Sequence, residues 1–181
     1  ESGSGVEQDL ALAADWYAKA ARQGYAPAQC NLAVCYLNGI GVETDTAQAI
    51  TLLEQSSAQG FPRAWSILGS CYRDGNGVAR DVDRAFSYFV KAAEADYPSA
   101  MCSLGLCYES GSGVEHSPGE AARWYTEAAR QGYAPAQCNL AVCYLNGIGV
   151  EQDDAQAVLW LEKAAEQGVP EAQFQYALML I

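Results

Sequence analysis

The element Gly-x-Gly-Val occurs five times, as GSGV at 3–6, GIGV at 39–42, GNGV at 75–78, GSGV at 111–114 and GIGV at 147–150, each copy 36 residues after the one before. A fixed period of this length is the signature of a repeat architecture, in which no unit can bury its apolar face alone and neighbours must stack. Five such units account for 180 of the 181 residues. The sequence therefore predicts one repeat domain over 1–181, with units at about 1–36, 37–72, 73–108, 109–144 and 145–181 and no linker.

A glycine pair ahead of a helix is also how proteins cradle phosphate, because the unpaired N–H groups of the first helical turn point at the anion. None of the five copies has the Lys and Ser/Thr that a P-loop needs. Each is followed instead by a residue able to cap the helix itself: Asp9, Asp45, Asp81, Ser117 and Asp153. Ser117 with Glu120, and Asp45 with Gln48, have the spacing of a capping box or its near relative. The anion-binding end of each helix is thus already occupied, and the glycines are read as a turn.

Aligned on the period, one helix reads PAQCNLAVCYLNG (27–39), RAWSILGSCYRDG (63–75), SAMCSLGLCYESG (99–111), PAQCNLAVCYLNG (135–147) and EAQFQYALMLI (171–181). Ala28, Leu32, Cys35 and Tyr36 fall at i, i+4, i+7 and i+8, one apolar stripe of a 3.6-residue period. A second helix follows each glycine turn and carries large pairs such as Trp16–Tyr17, Tyr88–Phe89 and Trp124–Tyr125, then small ones such as Ala20–Ala21. Gly24, Gly60, Gly132 and Gly168 are placed to end it as left-handed caps, with Asp96 in that role in the third copy. The expectation is all-α, with ten helices.

The block A-x-A-x-x-x-L-[AG]-x-x-Y-x-x-G-x-G-V-x-x-D followed by A-x-x-W-[YF]-x-x-A-A-x-x-G resembles the Sel-one-like repeat (SLR) family, relatives of tetratricopeptide repeats. Leu32, Tyr36, Gly39, Gly41, Val42 and Asp45 fit it together, and the period is 36 rather than the 34 of tetratricopeptides. The last unit departs, with Tyr176 at the Leu position and Leu180 at the Tyr position. The resemblance implies a right-handed α-solenoid whose first helices line a concave side, and work as an adaptor or scaffold that binds protein or peptide.

Other classes fare worse. A net charge of −12 with ten scattered basic residues argues against nucleic acid, whose backbone is held by clustered Lys and Arg. No run of 18 apolar residues is present to span a membrane. Cys30–Cys35, Cys102–Cys107 and Cys138–Cys143 are each five apart, about 140° around a helix, and do not bridge. Cys35, Cys71, Cys107 and Cys143 read as core filler, and an odd count of seven unpaired cysteines fits a reducing, cytoplasmic compartment. No Cys-x-x-Cys pair and a single His116 leave no metal site, and no cofactor is expected. One cysteine-rich branch resembling this family is linked to penicillin binding and hydrolysis, but the regular disulfides of that branch are missing. No serine has a plausible base, since the one imidazole sits beside the capping Ser117, so no enzyme is expected.

Positions off the apolar stripe of the first helices are the candidate partner contacts, by analogy with tetratricopeptide grooves. Asn31 and Asn139 are placed to bond a peptide backbone and Val34, Leu106 and Val142 to give apolar contact, while Asn38 and Asn146 lie on the same ladders. Cys102, Cys138 and Ser70 fall on the same ladders, along with Cys30 and Ser66. Arg63 and Arg73 put positive charge into an otherwise acidic protein, suited to a carboxylate. A second expectation is an architectural spacer acting through its ends, because Phe174, Leu178 and Ile181 end a first helix with no second helix to cover them, in a segment of a longer array or an end-to-end assembly.

Overall fold

The computed structural model describes residues 9–181. Among them are ten α-helices and no strand: α1 (Leu10–Arg22), α2 (Ala26–Asn38), α3 (Thr46–Ala58), α4 (Pro62–Asp74), α5 (Val82–Glu94), α6 (Pro98–Ser110), α7 (Pro118–Arg130), α8 (Ala134–Asn146), α9 (Asp154–Glu166) and α10 (Pro170–Met179). Four of the caps are where the spacing put them. Asp45 accepts from Gln48 N at 2.9 Å, Ser117 from Glu120 N at 3.5 Å and Asp153 from Gln156 N at 3.0 Å. Asp9 does the same for Leu12 N, while the GSGV at 3–6 lies outside the described residues. Even-numbered helices start differently, with Pro at N1 or N2, where its missing N–H costs nothing.

The glycine turn has two separate jobs. Its first residue closes the even-numbered helix in the left-handed region, as Gly147 does at φ 65°. Its second brings the chain hard against the start of an earlier helix: a Cβ on Gly149 would collide with the Pro118 carbonyl, and one on Gly113 with that of Val82. The turn packs backbone against backbone and leaves no room for a phosphate. Asp96 does take a positive φ of 57°, a conformation that costs a non-glycine residue more.

Contacts divide the chain into two compact units, Glu1–Asp81 and Val82–Ile181. In the first, Ala28, Leu32, Cys35, Leu53, Ala64, Leu68 and Cys71 are buried, and in the second Phe89, Leu104, Tyr125, Leu140 and Leu161 are. Those on even-numbered helices are the stripe positions, and Leu53, Phe89, Tyr125 and Leu161 face them from odd-numbered helices. The polar exceptions repeat as well: Gln59 Nε2 donates to the buried Gln29 at 2.8 Å, and Gln167 Nε2 to the buried Gln137 at 2.8 Å. Each glutamine of the Pro-Ala-Gln sequence thus ties one even-numbered helix to the end of the next odd-numbered one, satisfying a group that would otherwise be costly to bury.

Candidate binding face

Three of the candidate contacts come together in the first unit. Asn31 and Val34 on α2 and Arg63 on α4 line a hollow of about 250 Å³, completed by Leu10, Ala13 and Tyr17 of α1 and by Ile40 of the following turn. Leu10, Tyr17 and Ile40 are exposed apolar side chains. Arg63 is half-buried, and its Nη1 donates to Asn31 Oδ1 at 2.6 Å. The guanidinium therefore rests on a neutral oxygen. Its field reaches Cys30, whose thiol is nevertheless pushed up to about 11, because burial outweighs the cation.

The other candidates are more ordinary. Arg73 grips its neighbour Asp74 through Nε and Nη2 at 2.8 and 2.9 Å, and this pairing holds the Asp74 carboxyl below its usual range. Asn38 and Asn146 donate to Val34 O and Val142 O of their own helices, both at 2.9 Å, and Ser70 to Ser66 O at 3.3 Å. Leu106 and Val142 are exposed, and Cys138 is half-buried.

Three positions are corrected. Cys102, Cys30 and Ser66 are buried rather than exposed to a partner. The apolar faces of α2 and α6 are wider than a single stripe, because α1 and α3 press on the one and α5 and α7 on the other. Burial pushes the Cys102 thiol up to about 12, and Asn139 donates to its sulfur at 3.7 Å. Asn139 is thus half-buried against α6 and already engaged.

Tyr17, Leu10 and Ile40 are not among the candidate partner contacts that the sequence points to. The signal lay in Tyr125, which stands 108 residues after Tyr17. In the second unit α6 lies on that tyrosine: Gly105 has no room for a Cβ because the ring fills the space, and Glu109 takes the Tyr125 hydroxyl at 2.5 Å. Tyr125 is 1% exposed, whereas Tyr17 is 36% exposed.

The profile of the Sel1 repeat matches residues 1–25, 26–61, 66–97, 98–133 and 134–169. The chain belongs to the Sel1 repeat family. Sel1 repeat proteins are generally protein-interaction scaffolds and generally non-enzymatic. Among solved structures the chain is similar to c5321, a protective antigen of uropathogenic Escherichia coli strains displaying an SLR fold, at 39% identity and a TM-score of 0.84 over 98% of this chain. It spans 38% of that antigen's length. A Sel1 repeat protein from Oxalobacter formigenes is 31% identical with a TM-score of 0.87, over 95% of this chain and 68% of that one. The immunity protein PA5088 from Pseudomonas aeruginosa is 26% identical with a TM-score of 0.70, over 96% and 63%. None of the curated proteins matches the chain in sequence. These Sel1 relatives place the chain among α-solenoid repeat proteins. No helix among the described residues is long and apolar enough to cross a membrane.

Proposed function

We propose that this Sel1 chain is a scaffold that holds a segment of a partner protein in the hollow between α1, α2 and α4. The observation that carries the reading is Arg63: a half-buried cation whose hydrogen bond goes to an amide, set in an apolar wall of Leu10, Tyr17, Val34 and Ile40. A carboxylate brought by a partner replaces a neutral acceptor with a charged one and gains a stronger bond. Such a partner carries an acidic residue beside apolar ones. Titration with acidic peptides tests this. Arg63→Glu is expected to weaken binding by about tenfold or more, and Arg73→Glu, which removes a cation already gripped by Asp74, to leave it unchanged. Binding indifferent to Arg63→Glu overturns the reading.

A further inference from the structure

The first unit holds another cavity, larger than the Arg63 hollow. It measures about 510 Å³, within the roughly 300–1,000 Å³ of ligand clefts, and lies between α1 and α3 with α2 as its floor. Leu32 and Tyr36 form the floor, Ala18 and Ala21 one wall, Leu52 the other, and Gln48, Thr51, Gln55 and Arg22 the rim. Ala21 and Leu32 belong to a buried apolar cluster against which Ala18, Tyr36 and Leu52 pack, so the bottom is core that stops short of closing.

The chain contains a second version of this place. α8 has the same thirteen residues as α2, APAQCNLAVCYLN. Over that floor the walls are bulkier: Thr126 replaces Ala18, Leu159 replaces Thr51 and Trp160 replaces Leu52, each 108 residues on. Trp160 is 9% exposed, and the Lys163 ammonium lies 4.3 Å from its ring centre. Where the second unit has a buried indole of its own, the first has a leucine and a cavity.

The rim differs in charge as well. Arg130 pairs with Glu127 at 3.5 Å, but the residue at the register of Glu127 in α1 is Lys19. Arg22 consequently makes no ion pair among the described residues and borders the cavity, while the Lys19 ammonium lies over Trp16, 4.0 Å from its ring centre.

We propose that the α1–α2–α3 cavity is a second docking site, which takes an aromatic side chain of a partner peptide with a neighbouring carboxylate held by Arg22. The ring occupies the volume that Trp160 fills in the second unit. The carboxylate supplies the negative charge that Glu127 gives Arg130. This site stands independently of the Arg63 hollow.

The probe is the blocked tripeptide Asp-Trp-Asp, titrated into isotope-labelled full chain and followed by amide chemical shifts. Saturable shifts are expected around Ala18, Leu32 and Leu52, with affinity about tenfold or more weaker for Asp-Ala-Asp, as for loss of any buried aromatic anchor, and weaker also for Lys-Trp-Lys. Leu52→Trp closes the cavity with the residue the chain already carries over the same floor, and is expected to abolish binding. Arg22→Glu is expected to weaken it several-fold and remains informative if Leu52→Trp fails to fold. Arg63→Glu should leave this binding intact, which separates it from the first site. Shifts that do not saturate, that map elsewhere, or that survive both Leu52→Trp and Arg22→Glu overturn the proposal.

Discussion

Helices α2 and α8 are the same thirteen residues and do not have the same surroundings. Asn31 of α2 accepts from Arg63, while Asn139 of α8 donates to the sulfur of Cys102. The position of Arg63 is held by Glu171 in the second unit. Tyr17 beside α2 is exposed, and its equivalent Tyr125 beside α8 is buried under α6. Leu52 over α2 leaves a cavity, and Trp160 over α8 is buried. What a repeat helix can do is therefore decided by the residues its neighbours bring to it. In this chain the neighbours cover different positions of the two helices: Cys30 is buried and Cys138 half-buried, whereas a cavity lies beside Leu52 and Trp160 is buried.

The widest gap should appear at the two tyrosines. Tyr125→Ala removes a fully buried ring, together with the hydroxyl that Glu109 accepts from, and should cost about 3–5 kcal/mol. Tyr17→Ala removes an exposed ring and should cost less than about 1 kcal/mol. Urea unfolding of both variants measures the difference. Equal losses would mean that Tyr17 is as covered in solution as Tyr125, and the contrast drawn between the two faces would fall.

Next is the exchange of Leu52 and Trp160. Trp160→Leu should destabilise by about 1–3 kcal/mol, since it opens a void without losing a hydrogen bond: the Trp160 indole N–H has no acceptor among the described residues. Leu52→Trp fills existing space and should change stability by no more than about 1 kcal/mol. A large loss on Leu52→Trp, seen by the same unfolding curves, would show that the cavity walls cannot hold an indole.

Most of the fold was legible because it is written five times. A cap such as Asp153, a left-handed glycine such as Gly168 and a stripe such as Ala28–Leu32–Cys35 each follow from local chemistry that period and spacing expose. The binding face was less legible. Asn31 and Asn139 are the same letter in the same context of twelve neighbours, and only the helix packed on each one separates an amide beside a cation from an amide spent on a thiol. Cys102 looked like surface because its helix was read with one apolar stripe, whereas two odd-numbered helices press on it. The α1–α2–α3 cavity depends on side-chain sizes on three helices at once, which periodicity does not record. The clue was available nonetheless, in the substitution of Leu52 by Trp160 over an unchanged floor.

The smallest expected effect compares the cysteines at one position of two repeats. Cys30 and Cys138 occupy the same position of α2 and α8, yet Cys30 is fully buried and Cys138 only half-buried. Burial raises both thiols, with Cys30 reaching about 11 despite Arg63 and Cys138 helped upward by Glu171. A thiol raised in the folded state favours folding fully below its unfolded value of 9.0, and that contribution is lost as pH rises through the folded value. Stability to urea should therefore hold up to about pH 9 and decline through pH 11, where Cys30 ionises. At neutral pH a thiol reagent should modify Cys138 well before Cys30, because reaction needs both access and thiolate. Arg63→Glu should slow Cys30 further, since it removes the one cation that favours its thiolate. Mass spectrometry of the labelled peptides gives the order directly. If Cys30 reacts as fast as Cys138 in the folded protein, α2 is no better buried on that side than α8, and the two helices differ less than their neighbours suggest.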